Sequence, residues 1–359
     1  MAERVIPLVD QRSAALRPPV PSTAQATPAT GQLHDRLSRP LRDLRISVTD
    51  RCNFRCVYCL PEEHNNWIAR SEILTYEEIA RIIAIAVPLG IRKVRLTGGE
   101  PLLRRDLSRL IEMIRAVDPD IDLALTTNAY FLPENAEQLA AAGLKRITVS
   151  LDSMKTAKFA LLTGRDALSP VLEGIEAGRA AGLGPINVNC VVIRGFNEDE
   201  VVDFAGFARS HDLTVRFIEY MPLDGKPDWD RTQVVSGAEM LGMIRAHYDL
   251  EPVERSSRSE TATRYRFRDG APGELGFITT ITEPFCDGCS RLRLTADGRL
   301  RTCLFSSRSH DLKSLVRGGA SDDEIRQFLI ATVATKEAGH GINEPGFTPS
   351  AETMASIGG

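Results

Sequence analysis

Six short apolar runs alternate with amphipathic helical patterns between residues 44 and 218 of this 359-residue chain, and no other feature constrains its fold as much. The strand-like runs are residues 44–48, 93–96, 122–126, 146–150, 186–192 and 214–218. Between them, residues 75–87, 107–116, 135–142, 171–181 and 199–211 carry apolar side chains at helical spacing. Thr75 and Glu78 give the first of these helices the start signature of a capping box. Strands joined through helices pair in parallel with right-handed crossovers, so the chain is an α/β protein. In such sheets, ligands gather where strands end and the next loop begins. Periodicity leaves both a closed or partial barrel and an open doubly wound sheet available.

The segments outside this repeat differ in kind. Residues 1–40 are rich in Pro, Ala, Thr and Ser without apolar periodicity, the composition of a disordered leader. The barrel or sheet region then runs over residues 41–223. Beyond it, a linker precedes a helix near residues 239–247 and hairpin strands at 291–295 and 299–304 around the turn Ala296-Asp297-Gly298. Residues 224–345 are therefore expected to form a separate, smaller module, followed by a flexible tail at 346–359. With 43% hydrophobic and 26% charged residues the chain reads as an ordinary soluble protein. It has no apolar run near the roughly 18–20 residues of a membrane span and no secretory signal. A net charge of −4 argues against a nucleic-acid binder.

Cys52, Cys56 and Cys59 lie in the loop after the first strand, spaced Cys-x3-Cys-x2-Cys. A cubane cluster has about four irons, so three thiolates leave one iron free to bind a small molecule. Cys286, Cys289 and Cys303 form a second triplet, spaced Cys-x2-Cys-x13-Cys. Here zinc with a fourth ligand such as His247 or His310 is the alternative to a second open cluster. Six of the seven cysteines fall in these triplets, which suits a reducing, cytoplasmic setting. Cys190, in an apolar run, reads as a small buried residue.

Polar residues sit on strands that ought to be apolar on both faces. Lys93 and Arg95 share one face of the second strand, and Arg45, Ser47 and Thr49 share one face of the first. Thr126, Thr127 and Ser150 end the third and fourth strands, and Arg216 lies in the sixth. Arg291 and Arg293 point the same way while Leu292 faces the core. So many cations on inward faces are costly without an anion between them, and guanidinium forks match phosphate. The alternative is strands with one solvated face. Gly98-Gly99-Glu100-Pro101 follows the second strand directly, where glycines let the backbone approach a ligand.

The first cysteine triplet, with Tyr58 before its last cysteine and the Gly-Gly-Glu-Pro turn, resembles the radical S-adenosylmethionine (SAM) superfamily. The second triplet, Arg291-Leu-Arg293, Lys93 with Arg95, and the terminal Gly358-Gly359 make the resemblance closest to the GTP 3',8-cyclase family within it. That resemblance implies a partial (βα)6 TIM-like barrel, two [4Fe-4S] clusters and SAM. It implies SAM contacts at Tyr58, Gly99, Ser150 and Met221, and GTP contacts at Arg45, Arg95, Thr126, Arg291 and Arg293. Lys93 and Arg216 are further phosphate or radical-site positions, and Gly358 and Gly359 belong to a tail that enters the active site. Asn187 stands where the family pattern leads one to expect a lysine, a loss for which nearby Arg194 is a candidate substitute.

The implied activity is that of a lyase. A deoxyadenosyl radical from SAM removes the C3' hydrogen of GTP, and C3' attacks C8 to give (8S)-3',8-cyclo-7,8-dihydroguanosine 5'-triphosphate, the first step of molybdenum cofactor biosynthesis. Implied partners are a one-electron reductant such as flavodoxin or ferredoxin, a downstream cyclic pyranopterin monophosphate synthase, and a second copy of the chain in a homodimer. Two rivals stand beside this reading. One is a radical SAM maturase of peptides or proteins with an auxiliary cluster, and the other is a zinc-binding regulator.

Overall fold

The strand–helix alternation becomes one twelve-stranded sheet in the computed structural model, which describes residues 31–60, 66–224, 229–350 and 352–358. Six strands, β1 (Asp43–Ser47), β2 (Lys93–Thr97), β3 (Asp122–Thr127), β4 (Arg146–Ser150), β5 (Asn187–Val192) and β6 (Thr214–Glu219), pair in parallel in chain order. Helices α1 (Tyr76–Ala86), α2 (Leu107–Val117), α3 (Leu132–Ala141), α4 (Thr156–Thr163), α5 (Leu168–Ala180) and α6 (Val201–His211) cross between them. The capping box at Thr75 and Glu78 is formed. The sequence pattern missed α4, which buries Phe159 and Leu162 but leaves Leu161 exposed, so its apolar stripe is weak.

The sheet has one apolar and one polar face. Leu44, Ile46, Val94, Leu96, Ile147, Val149, Val188, Cys190, Val215 and Phe217 are buried in a core with Ile79, Ile82, Ile83, Leu110 and Ile114 of the helices. The alternate residues of the same strands face inward, which is why cations occur in strands that hold the core together.

The C-terminal residues do not build a sheet of their own. Strands β7 (Leu250–Val253), β8 (Thr263–Phe267), β9 (Glu274–Ile278), β10 (Arg291–Leu294), β11 (Arg299–Arg301) and β12 (His310–Asp311) extend the first sheet on both sides. β9 pairs in parallel with β6, and β10 in parallel with β1. The exposed backbone of the two outer strands of the six-stranded core is thereby satisfied. The C-terminal module expected from the sequence thus shares its sheet with the first six strands. The remaining helices are α7 (Gly237–Arg245), α8 (Lys313–Arg317), α9 (Asp322–Ala334) and α10 (Met354–Ile357). The strand expected at 299–304 stops at Arg301, because the chain turns there to carry Cys303 inward.

Part of the expected leader also packs against the fold. Leu33 and Arg39 are buried, His34 bridges to Pro40, and the Leu33 amide donates to the Leu89 carbonyl at 2.7 Å. Composition obscured this because a single apolar residue and a buried ion pair anchor the segment. Residues 1–30 lie outside the described residues. Among the described residues, no helix is long and apolar enough to cross a membrane.

Candidate active site

The polar face of the sheet encloses three adjoining cavities of about 160, 150 and 290 Å³. The first is bordered by Cys52, Cys56 and Cys59, the second by Cys286, Cys289 and Cys303, and the third by Arg45, Lys93, Arg95, Arg216 and Arg291. They are lobes of one chamber. Ile218, Met221 and Met354 border the first two, Arg45 and Arg291 the second and third, and Asn189 all three.

Short hydrogen bonds build the first lobe around the cysteine loop. The amides of Gly99 and Glu100 donate to the carbonyls of Thr49 and Arg51 at 2.8 and 2.7 Å. A Cβ on Gly99 would stand 2.3 Å from the Arg51 carbonyl oxygen, and one on Gly98 2.5 Å from that of Thr49. Both glycines are therefore required by the cysteine loop itself, besides bordering the cavity. The Tyr58 hydroxyl donates to Asp152 Oδ2 at 2.6 Å, and Asp152 also accepts the Val191 amide at 2.8 Å. Ser150, Thr126 and Met221 complete the wall. Burial, followed by the charge of Glu100, pushes the Cys52 thiol up to about 11. Burial also raises Cys56 and Cys59, followed for Cys56 by Asp152 and for Cys59 by Cys52. Bare thiolates are disfavoured here, and a cationic iron centre would reverse that. The donor set fits a cluster, with the Phe54 amide 3.4 Å and Asn128 Nδ2 3.9 Å from Cys52 Sγ as donors to sulfur.

The second lobe, unlike the first, is lined by cations, Arg45, Arg291 and Arg293. Burial alone would raise Cys289, but Arg291 and Lys336 bring it down to about 6. Arg291 Nε donates to Cys289 Sγ at 3.3 Å, and its guanidinium lies 5.0 Å from the Phe285 ring centre. The zinc alternative loses its proposed fourth ligands. His310 faces Thr335 Oγ1 at 3.3 Å, and His247 borders a shallow surface hollow elsewhere. His340 does border this lobe, but its Nε2 and Nδ1 engage the Thr280 carbonyl and the Ile342 amide. Among the described residues, no three His, Cys, Asp or Glu side chains are gathered to hold a single metal ion.

Register assembles the cations. Arg301, Arg293, Arg45 and Arg95 occupy one row across β11, β10, β1 and β2. Arg95 Nη1 donates to Thr148 Oγ1 at 2.9 Å and to Thr126 Oγ1 at 3.3 Å. Burial, then neighbouring arginines, lowers the guanidinium of Arg45 to about 9 and those of Arg95 and Arg216 to about 10. Lys93 is lowered too, by burial first, although Asp122 and Asp43 stand 3.5 and 4.0 Å from its Nζ. Arg293 reaches the Gly358 carbonyl, bringing the tail against the chamber. Gly359 lies outside the described residues.

Asn187 is buried beside Thr148 and Thr214 and borders an outer groove, not the three lobes. Arg194 does not substitute for a lysine there. It is committed to Glu239 at 2.8 Å and to the carbonyls of Val234 and Thr232. Arg146 and Arg216 border both groove and chamber, so the positive charge near Asn187 comes from them.

Sequence reasoning missed several residues. Asn189 faces its neighbours Ser150 and Arg216 across the strands, and its buried Oδ1 has no partner. Its period-two relation to Asn187 was the available signal. Glu219 is fully buried and accepts from the amides of Gly237, Ile281 and Thr282 at 3.0, 2.7 and 2.9 Å, tying β6 to the loop before the second triplet. Arg39 binds the carbonyls of Cys286, Ala338 and Glu337 from the supposed leader. Nothing local in the sequence marks that contact.

Comparison with known proteins agrees with this geometry. Residues 46–208 match the model of the radical SAM superfamily, and residues 213–342 match that of Molybdenum Cofactor Synthesis C. A protein of Mycobacterium sp. strain KMS named GTP 3',8-cyclase is 43% identical, over 95% of this chain and 98% of its own. One of that name from Streptomyces coelicolor is 44% identical, over 91% and 96%, and one from Acidothermus cellulolyticus 49% identical, over 84% of each. Among solved structures, Streptococcus suis SuiB bound to S-adenosylmethionine superposes with a TM-score of 0.55 at 14% identity, covering 79% of this chain and 66% of that one. Native anSMEcpe with bound AdoMet gives 0.51 at 16%, covering 74% of each. These two likenesses concern the fold alone.

Proposed function

The chain belongs to the GTP 3',8-cyclase family of radical SAM enzymes, which carry out the first step of molybdenum cofactor biosynthesis, and on that premise we propose how its chamber divides the work. Cys52, Cys56 and Cys59 hold one [4Fe-4S] cluster, and Cys286, Cys289 and Cys303 hold a second. A cluster held at the first triplet, with SAM bound and one electron delivered, would supply a 5'-deoxyadenosyl radical by releasing methionine.

Every other task falls to the protein's own residues. Tyr58, Gly99, Ser150 and Met221 bind SAM in the first lobe, Tyr58 being held by Asp152. Arg45, Lys93, Arg95, Arg216 and Thr126 grip the triphosphate in the third lobe, with Arg146 where that lobe meets the outer groove bordered by Asn187. Arg291 spans from the third lobe to the second, which Arg293 also borders and where the guanine lies. GTP is then stretched between two lobes with its ribose near Asn189, so C3' faces the first lobe while C8 is held beside it. Orientation of this kind replaces a search among conformers. Ile218, Met221 and Met354 keep water from the wall between the lobes, and the C-terminal tail closes the site through the contact of Gly358 with Arg293.

One observation carries the reading: both cysteine triplets open into a single hollow with a row of arginines along its wall. A peptide-modifying reading does not account for that row. The electron donor is a flavodoxin- or ferredoxin-like carrier in the cytoplasm, and the product passes to cyclic pyranopterin monophosphate synthase. Anaerobic reconstitution should load about eight irons per chain. With reductant, SAM and GTP, mass analysis should then find 5'-deoxyadenosine together with the cyclised triphosphate. Deoxyadenosine formed while GTP is left intact would overturn the substrate assignment, and about four irons would overturn the second cluster.

A further inference from the structure

Arg301 is 1% exposed, one of the largest side chains fully enclosed by this fold. It lies on β11 opposite Arg293, on the same face at the end of the arginine row, without bordering the three lobes. Its guanidinium donates to the carboxylate of Glu352 and to the Ser306 carbonyl, and its Nε is buried without a partner. Among the described residues, Glu352 is the one carboxylate paired with it. A buried guanidinium deprived of its partner is strongly destabilising, so this ion pair fixes where residue 352 must sit.

Immediately after Glu352 the chain enters the active chamber. The Met354 amide donates to the Leu223 carbonyl at 2.7 Å, and its side chain borders both cysteine lobes. Ala355 and Ile357 are buried, and Gly358 adopts φ +84° against Ser47, where a Cβ would meet that of Ser47 at 2.8 Å. The Gly358 carbonyl then receives Arg293. The tail is thus pinned at both ends by two arginines that face each other across adjacent strands. The inner pin is enclosed, but the Glu352 side chain keeps 46% of its surface in water. The outer pin is accordingly the one that solvent and salt can open.

We propose that Arg301 and Glu352 form a clamp that seats the C-terminal tail, making them positioning residues for the Gly358 contact with Arg293. The clamp acts on closure of the chamber and touches neither substrate nor cluster. Its catalytic consequence rests on the cyclase reading of the chamber, whereas its structural consequence does not.

The test uses the full chain with Glu352→Gln, which keeps the shape and removes the charge at a half-exposed position, and Glu352→Ala as a second variant. Hydrogen exchange of the unloaded protein reads the amides of Met354, Ile357 and Gly358 against those of β1. Both variants should speed exchange at the tail at least tenfold and leave β1 unchanged, and 0.5 M NaCl should shift the wild type in the same direction. In the reconstituted enzyme, kcat for the cyclised product should fall at least fivefold while KM for SAM stays within twofold. Unaltered tail exchange in both variants overturns the clamp. Faster exchange with unaltered kcat overturns the positioning role. If the wild type forms no cyclised product, the cyclase reading fails and the exchange measurement still decides the clamp.

Discussion

Replacing Arg95 with methionine separates what this cation costs the fold from what it contributes to binding. Arg95 has two threonine hydroxyls for partners, Thr148 at 2.9 Å and Thr126 at 3.3 Å, and Arg216 and Arg146 for charged neighbours. Burial first, then those arginines, lower its guanidinium from 12.5 to about 10. That fall sets about 3 kcal/mol against the charged form, of which water in the open chamber leaves about 1–2 kcal/mol. Methionine removes this penalty and forfeits two hydroxyl bonds worth about 1 kcal/mol together. The two terms nearly cancel, so the ligand-free melting midpoint should stay within about 2 °C of the wild type or rise. Bound triphosphate reverses the balance, because one or two charge-assisted bonds of about 1.5 kcal/mol each are lost. The GTP dissociation constant should rise about 10- to 150-fold while that of guanosine stays the same. Titration calorimetry with GTP and guanosine, paired with scanning calorimetry of the ligand-free chain, measures both. Equal loss for guanosine would remove Arg95 from the phosphate lobe, and a fall of more than about 6 °C would refute the claim that its charge is a liability without an anion.

Three other perturbations address separate parts of the structure. Cys52→Ser should abolish 5'-deoxyadenosine formation, assayed by chromatography under reducing anaerobic conditions, since the first triplet has no spare thiolate. Arg39→Met should lower stability by about 3–5 kcal/mol, because Asp35, 1% exposed and 2.5 Å away, would be left as a buried unpaired charge; an unshifted denaturation midpoint would show that residues 31–40 carry no load. Glu100 is raised from 4.5 to about 7 by burial, which outweighs its bonds from Asn128, Leu102 and Thr127. A carboxyl raised in the folded state favours folding while protonated, so its contribution is full below pH 4.5 and is lost as pH climbs to about 7. Glu100→Gln should flatten the decline in melting temperature between pH 5 and 7, and an unchanged slope would assign that decline to other groups.

The alternating strands, the capped first helix, both cysteine triplets and the cations of β1, β2 and β10 were all legible in the chain. Each depends on spacing within one element, where period-two or period-3.6 geometry already decides which side chains share a face. That Lys93 shares a face with Arg95, and Arg291 with Arg293, followed from that rule before any fold was known; that those faces turn inward did not. Other features had no local signature. Arg39 meets the Cys286 carbonyl across 247 residues, and Arg301 meets Glu352 across 51. Arg194 looked available beside Asn187 but turns outward to Glu239.

Sequence alone therefore determined which chemistry this chain carries, because thiolate spacing and the alternation of charge along strands are fixed by covalent geometry. Only the tertiary structure decided that this chemistry shares one chamber. The parallel pairing of β10 with β1 and of β9 with β6 joins the C-terminal strands to the first sheet, and the register sets Arg293 beside Arg45 and Arg45 beside Arg95. Such pairings are chosen by unsatisfied strand edges and by the burial of whole faces, which are properties of the assembled sheet.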